Sequence, residues 1–543
     1  MNRLSISLLL AAIAFSPASA QDFKVTVKTA QEPIHSGKYK PTMESLSDYE
    51  CPEWFEDAKL GLWAHWGVQC APEDGDWYAR IMYEQGSQPY RYQLATMGHP
   101  SKVGFKDWIP RWKAENWNPD SLVALYKRCG AKYFVAMANH HDNFDNYDSK
   151  YQPWNSVNMG PKTDIIARWA AAAKHYGLPF GVSVHLAHAW TFYEKAQGSD
   201  KTGPLAGVPY DGRLTKADGK GTWWEGYDIQ DLYEQRHQVS KDNSKWDWET
   251  DYVTTPDQAY CDRVYNRTVD LINKYDPQMI YFDDTFVPLW PISDCGLKIL
   301  SHFYNKNMAE HKGRNEAVAT GKVLTEDQKK TEVWDVERGV PDDIQPRHWQ
   351  TCTCIGSWHY DKWRYYDNTY KTPDQVIDMF IDIVSKNGNL LLNIPVKSDG
   401  TIDPTERSIV EEIGHWLDIN GESIFATRPW VKFGEGPSTG KNNAIKQQGF
   451  NEGNITMGAQ DIRFTKKGNA LYVSLLGVPQ TDIVVKSLSK GGLLKAKIKN
   501  VEMLGSKEKP QWHQAVDGLH IARPATVPCT EAVVYKITTN KKL

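Results

Sequence analysis

The chain has 543 residues, and 63 lysines and arginines against 67 aspartates and glutamates give it a formal net charge of -4. This balance argues against nucleic acid as a partner. Its eight cysteines show no C-x-x-C spacing, which disfavours a zinc ribbon or a redox motif.

The first 20 residues have the pattern of a signal peptide. A basic start is followed by the apolar residues 8–15 and by Ala18-Ser19-Ala20, a typical cleavage site. We therefore expect a protein cut after Ala20 and secreted or periplasmic. The residue directly after the cut is Gln21 and not a lipid-bearing cysteine, and no later apolar run has the length of a membrane span, so we expect no membrane anchor. Residues 21–50 lack periodicity and form a lead-in segment.

Four short apolar runs end in polar residues. The run at residues 60–67 has His65 near its end, and the run at 133–138 leads into Asn139 and two histidines. The run at 179–186 contains His185, and the run at 278–282 is followed by Asp283 and Asp284. Helical patterns over residues 120–130, 163–177 and 260–275 separate or flank these runs. Strand and helix alternate, which predicts a parallel sheet covered by helices, and a barrel brings all four polar ends to one rim.

The pattern continues to about residue 429. About seventy residues after His188 form an insertion expected to overhang the active face, and helices are predicted at 294–306, 372–388 and 403–421 with a buried strand at 389–395. From residue 430 the apolar period changes to two. We therefore expect an α/β protein with a (β/α)8-like, TIM-type barrel at 51–429, followed by an antiparallel β-sandwich at 430–543 that packs directly on it.

A rim with carboxylates and histidines, in a chain with 22 tryptophans, suits glycoside hydrolysis, although most of these rings are expected in the core. This reaction needs one ionised carboxylate and one carboxylic acid that protonates the leaving oxygen. Asp283, at a strand end, suits the first role. Glu337, expected on a loop, suits the second, although Glu332 and Asp335 lie close to it in the chain.

Several motifs in chain order carry a family resemblance. They are His65-Trp66-Gly67, Trp77-Tyr78, His140-His141-Asp142, Tyr281-Phe282-Asp283, Glu337-Arg338, and Gly388-Asn389-Leu390-Leu391-Leu392-Asn393-Ile394 followed by Asp399-Gly400. Together they resemble alpha-L-fucosidases of glycoside hydrolase family 29 over roughly residues 50 to 430.

The resemblance implies an exo-acting, retaining enzyme that removes terminal alpha-L-fucosyl residues from an oligosaccharide or polysaccharide by double displacement, with no cofactor and no metal. It maps the nucleophile to Asp283 and the acid/base to Glu337. The substrate-binding residues expected from the matched positions and their neighbours are His65, Asp76, Trp77, His140, His141, His185 and Tyr281.

The chain also departs from the family's usual residues. Asn139 and Asn143 replace a usual lysine and glycine, and Gln350 replaces a glutamate sometimes proposed as proton donor, which leaves Glu337 as the counterpart. Asp76 stands for a usual glutamate. Because these changes surround the sugar, an alpha-L-galactosidase or a hydrolase of a substituted fucoside remains an alternative.

Two rivals come from other classes. Histidines and aspartates at strand ends can bind zinc, but His140 and His141 are expected on opposite sides of a strand. A non-catalytic glycan-binding protein could use the same aromatic rim. If the enzyme is retaining, the carboxyl groups of Asp283 and Glu337 should lie about 5 to 5.5 Å apart, against about 6.5 to 9.5 Å for inversion.

Overall fold

The computed structural model describes residues 22–241, 243, 255–284, 286–440, 449–453 and 456–543. The expected signal peptide, residues 1–20, and part of the expected insertion lie outside these residues. Among the described helices, none combines the length and apolar character needed to cross a membrane. All eight cysteines are free thiols.

Eight parallel strands close into a barrel in chain order, β1 to β8, with β1 paired to β8. The expected fold class is confirmed. The strands are β1 Leu60–Ala64, β2 Tyr133–Met137, β3 Phe180–Val184, β4 Met279–Phe282, β5 Val318–Gly321, β6 Val333–Glu337, β7 Trp349–Cys354 and β8 Gly388–Asn393.

The helices of the barrel unit cover the strands and their connections. They are α1 Met43–Leu46, α2 Glu53–Ala58, α3 Tyr78–Ile81, α4 Gln88–Thr96, α5 Pro119–Arg128, α6 Ile165–His175, α7 Ala189–Phe192, α8 Gln230–Tyr233, α9 Gln258–Tyr275, α10 Cys295–Glu310, α11 Lys362–Tyr366, α12 Pro373–Ser385 and α13 Pro404–Asn420. The long helices begin where capping residues predict. Thr372 and Gln375 form a capping box at the start of α12, and Asp403 and Glu406 form one at the start of α13.

The expectation that Glu337 lies on a loop is wrong. Residues 332–339 contain β6 and residues 349–358 contain β7, so Glu337 is the last residue of a strand and not part of a loop. The sequence pattern did not predict β6 and β7 because both contain polar residues, whereas a buried strand is usually a continuous apolar run. Here Gln350 is fully buried and satisfied by hydrogen bonds to Asp335 and Tyr133.

The lead-in segment packs on the barrel beside α10. The amide of Val25 donates to the carbonyl of Ile292 at 3.1 Å, and the amide of Val27 donates to Asp294 Oδ1 at 2.8 Å.

The C-terminal unit consists of two antiparallel sheets, of five strands in the order β13-β16-β11-β10-β9 and of three strands in the order β12-β15-β14. The strands are β9 Arg428–Glu435, β10 Ile462–Lys467, β11 Ala470–Leu475, β12 Ile483–Val485, β13 Ile498–Met503, β14 Trp512–Gln514, β15 Leu519–Ile521 and β16 Val533–Thr539.

Alternate residues of β11 show how this unit meets the barrel. Leu471, Val473 and Leu475 enter the core between the two sheets, whereas Ala470 and Tyr472 join the core of the barrel unit. The five-stranded sheet thus buries both faces.

Candidate active site

A cavity of about 280 Å³ lies at the carboxyl end of the barrel strands. All nine residues expected from the sequence line it, namely His65, Asp76, Trp77, His140, His141, His185, Tyr281, Asp283 and Glu337. A larger cavity of about 460 Å³ lies between α12 and the C-terminal unit. We place the chemistry in the smaller cavity because both carboxylates and the histidines face it.

Asp283 directly follows β4 and meets three basic side chains. His141 Nε2 lies 3.0 Å and His185 Nε2 3.9 Å from Asp283 Oδ2, while Lys322 Nζ forms an ion pair with Oδ1. Burial opposes ionisation of this carboxyl, but the surrounding basic groups, Lys322 first among them, hold its pKa well below the usual value. Asp283 is therefore a carboxylate at neutral pH.

The backbone fixes which nitrogen of two histidines faces Asp283. Nδ1 of His141 contacts the carbonyl of His185 at 2.8 Å, and Nδ1 of His185 contacts the carbonyl of Asn139 at 2.9 Å. A carbonyl only accepts, so Nδ1 carries a proton in both rings. Burial lowers the pKa of His185 to about 3, so the ring is neutral and its Nε2 presents a lone pair to the cavity.

Glu337 reaches the same cavity from the end of β6, and Lys322 connects it to Asp283. Lys322 Nζ contacts Glu337 Oε2 as well as Asp283. Two hydrogen-bond contacts to one nitrogen hold the nearest oxygens of the two carboxylates within about 6 Å of each other.

The other two acids of this stretch lie elsewhere. Asp335 points into the barrel interior, where it accepts hydrogen bonds from Gln350 Nε2 at 2.7 Å and from Cys352 Sγ at 2.9 Å, and burial raises its pKa to about 7. Glu332 precedes β6, at the opposite end of the strand from Glu337. Burial raises its pKa well above the usual value.

Three imidazoles line another side of the cavity. His65, His140 and His359 each offer a ring nitrogen, all within 4.8 Å of one another, and this set could hold a transition metal. Gln69 Nε2 lies 2.7 Å from His140 Nδ1. Within the described part of the chain, neither ring nitrogen of His65 or of His359 has a hydrogen-bond partner. Burial lowers the pKa of His65 and His140 well below the usual value, so these rings are neutral.

Asp76 lines the cavity and also holds one of its loops. Its carboxylate accepts hydrogen bonds from the amides of Trp358 at 3.1 Å and of His359 at 2.7 Å. The next residue, Trp77, has a left-handed backbone with φ of 58°. Asp76 therefore ties the loop after β1 to the loop after β7.

Seven further residues that were not expected there from the sequence line the cavity, namely Trp63, His188, Asp284, Lys322, Trp358, His359 and Phe450. Lys322 follows β5, a strand of only four residues. Trp358 and His359 follow β7, a strand that the sequence did not predict because of its polar residues. Phe450 comes from the C-terminal unit, and its place at the barrel rim has no local signal in the sequence.

The model of the family described as alpha-L-fucosidase matches residues 26–422. The chain belongs to the alpha-L-fucosidase family. It is therefore a glycoside hydrolase that hydrolyses alpha-L-fucosyl residues. A second family model, the alpha-L-fucosidase C-terminal domain, matches residues 456–538 of the enzyme.

Curated relatives extend over nearly the whole enzyme. The tissue alpha-L-fucosidase of Rattus norvegicus is 26% identical over 523 residues, which cover 92% of both chains. The tissue alpha-L-fucosidase of Homo sapiens is 25% identical over 535 residues, which cover 94% of both chains.

Solved structures share the fold. The Thermotoga maritima alpha-fucosidase in complex with fucose superposes with a TM-score of 0.66 at 22% identity, covering 92% of this chain and 100% of that one. An alpha-L-fucosidase from Bacteroides thetaiotaomicron, described as a trapped covalent intermediate, superposes with a TM-score of 0.57 at 16% identity, covering 96% and 99%.

Proposed function

We propose that the enzyme removes terminal alpha-L-fucosyl residues from fucosylated oligosaccharides or polysaccharides by a retaining double displacement, with Asp283 as nucleophile and Glu337 as acid/base. The observation that carries this assignment is the contact of one ammonium group, on Lys322, with both carboxylates in a histidine-lined cavity. A separation within about 6 Å fits retention, which needs about 5 to 5.5 Å, better than inversion.

In the first step Asp283 attacks the anomeric carbon while Glu337 gives a proton to the leaving oxygen, and a fucosyl-enzyme ester forms. In the second step Glu337 takes a proton from water, which displaces Asp283 and releases the sugar with its original anomeric configuration. The low pKa of Asp283 supports the first role because the nucleophile stays ionised. The Bacteroides relative, described as a trapped covalent intermediate, follows the same kind of chemistry.

The neutral histidines suit the recognition of sugar hydroxyls. His65, His140 and His185 are buried and have lowered pKa values, so the rings are neutral and can exchange hydrogen bonds with hydroxyls without binding a counter-ion. His185 can only accept at Nε2, because its Nδ1 donates to the carbonyl of Asn139. Trp77 supplies an aromatic face in the same cavity. In this proposal the three imidazoles His65, His140 and His359 bind hydroxyls and not a metal.

The proposal includes export, because residues 1–20 have the composition of a cleavable signal peptide. Sequencing the amino terminus of the protein recovered from the culture medium or the periplasm should give Gln21. Recovery of the full-length chain from the cytosol alone contradicts export.

The assignment is tested by assaying the purified enzyme and its Asp283→Ala variant with a chromogenic alpha-L-fucoside. We expect the variant to lose at least about a thousandfold in kcat, while its melting temperature stays near that of the wild type. Activity retained in the folded variant eliminates Asp283 as nucleophile. The activity on the matching alpha-L-galactoside, assayed in parallel, tests the alternative that the enzyme is an alpha-L-galactosidase.

A chelator distinguishes the metal alternative. We expect full activity after dialysis against EDTA, because no step of the proposed reaction uses a metal. Loss of activity that is restored by Zn²⁺ would show that His65, His140 and His359 hold a catalytic ion.

A further inference from the structure

Phe450 lies at the mouth of the catalytic cavity although it belongs to the chain after β9. It lines the cavity together with Glu337, and 56% of its surface is exposed. Phe450 thus presents an open aromatic ring beside Glu337 in the cavity.

The backbone of Phe450 is attached directly to the acid/base residue. Its amide donates a hydrogen bond of 2.8 Å to the carbonyl of Glu337, and Gly449 pairs with Glu337 as a parallel bridge. Phe450 adopts φ of 53°, a left-handed conformation that costs a non-glycine residue energy. The ring is therefore held in place by backbone contacts with Glu337 and not by burial in a core.

The chain after Phe450 is also tied to the residue that follows Glu337. The amide of Glu452 donates to the carbonyl of Arg338 at 2.9 Å, and Arg338 Nε donates to Glu452 Oε1 at 2.7 Å. These contacts keep Phe450 beside the cavity, where its apolar ring can stack on the C–H face of a sugar.

We propose that Phe450 is a specificity-determining residue on which the first sugar of the leaving group stacks. The inference rests on the proposed function, because the group that protonates the leaving oxygen must lie next to the leaving sugar. Phe450 is next to that group, since its amide donates a hydrogen bond to the carbonyl of Glu337. The ligand is thus a fucosylated glycan whose sugar next to fucose presents a C–H face. A leaving group without such a face gains nothing from the ring.

The test compares Phe450→Ala with the wild type on two substrates, a fucosylated disaccharide that the wild type cleaves and alpha-L-fucosyl fluoride. We expect kcat/KM for the disaccharide to fall about tenfold and kcat/KM for the fluoride to stay within about twofold, because fluoride has no ring to stack. Phe450→Tyr should restore the disaccharide value, since it keeps the ring.

Tyr366→Ala is the matched control, because Tyr366 is another aromatic residue with 68% of its surface exposed. It should change neither value. An equal loss on both substrates in Phe450→Ala, or no loss on the disaccharide, overturns the stacking role of Phe450. Failure of the wild type to cleave the fluoride overturns the proposed function and the inference together.

Discussion

Lys322 is one cation shared by two carboxylates in a buried site. Its side chain is 7% exposed, and its attraction to Asp283 and Glu337 exceeds the effect of burial and raises its pKa well above the usual value. Without this lysine the largest remaining influence on Asp283 is burial, which favours the protonated, unreactive form. The lysine thus keeps the nucleophile ionised in acid.

Lys322→Met should therefore move the acidic limb of the kcat/KM profile to higher pH. In the wild type the pKa of Asp283 is depressed, so activity persists below the usual range of an aspartate and falls only when that low pKa is reached. Removing the charge raises the pKa, and activity is lost earlier on acidification. Profiles for both proteins on a chromogenic alpha-L-fucoside measure the shift.

Lys322→Arg is the control, since arginine keeps the positive charge and can contact two carboxylates. Its acidic limb should stay near that of the wild type. An unchanged limb in Lys322→Met would contradict the electrostatic role of the lysine.

Which site residues could be foreseen depends on what precedes them. His65, His140, His185 and Asp283 all follow conspicuous apolar runs, so the rule that chemistry lies at the carboxyl ends of barrel strands was enough to find them. Lys322 follows β5, whose residues Val318 to Gly321 include a threonine and a glycine and lack the large apolar side chains of β4.

At the scale of elements, the segment 449–453 runs beside the chain that leaves β6. Gly449 has φ of 128°, and a Cβ placed on it would lie 2.2 Å from the carbonyl oxygen of Glu337. Asn451 exchanges two hydrogen bonds with the backbone of Val340. This close approach fixes the distance between the acid/base strand and the C-terminal unit.

Gly449→Ala should lower kcat/KM on a fucosylated disaccharide at least about tenfold, because the new methyl group forces the segment away from Glu337. Kinetics and the melting temperature are measured together. Gly453→Ala is the matched control: Gly453 also has a positive φ, of 80°, but a Cβ there meets nothing within 4 Å.

Gly453→Ala also places an alanine at a positive φ but without the clash, so its kcat/KM should stay close to the wild-type value. Equal effects of the two substitutions would mean that backbone strain, and not the approach to Glu337, decides the result.

The sequence predicted those helices and strands in which the spacing of apolar residues and the capping residues indicate the same element. The helices α5, α6, α9, α12 and α13 have apolar stripes, and several have clear N-caps. The strands β6 and β7 carry polar residues that are satisfied only by partners on neighbouring strands. Such pairing is a tertiary property, which local sequence patterns do not contain.

At the scale of the molecule, a buried charge cluster joins the barrel to the C-terminal unit. Arg463 on β10 forms an ion pair with Asp382 on α12, which also pairs with Lys386 at 2.8 Å. Arg463 Nη2 further donates to Ser438 Oγ at 2.7 Å. Lys386 and Arg463 overcome the effect of burial and lower the pKa of Asp382, so its stabilising charge is present above the usual aspartate range and is lost on acidification.

Arg463→Met should lower the free energy of unfolding by about 3 kcal/mol, because breaking a buried pair leaves charge without its partner. Thermal melts at neutral pH measure the effect. Lys536→Met removes the more exposed pair with Glu422 and should cost less than about 1 kcal/mol. A smaller loss in Arg463→Met than in Lys536→Met would contradict the role of the cluster.

The hydrogen bond between Phe450 and Glu337 places a residue of the C-terminal unit at the catalytic cavity of the barrel. A chimera that joins this barrel to the smaller unit of a homologue would exchange the ring and the glycine that stand beside Glu337, while Asp283 and the histidines stay in place. On the proposed assignment, preference for the sugar that departs and preference for the sugar that is cleaved are therefore encoded in separate stretches of the gene, and recombination between them can alter the first without disturbing the second.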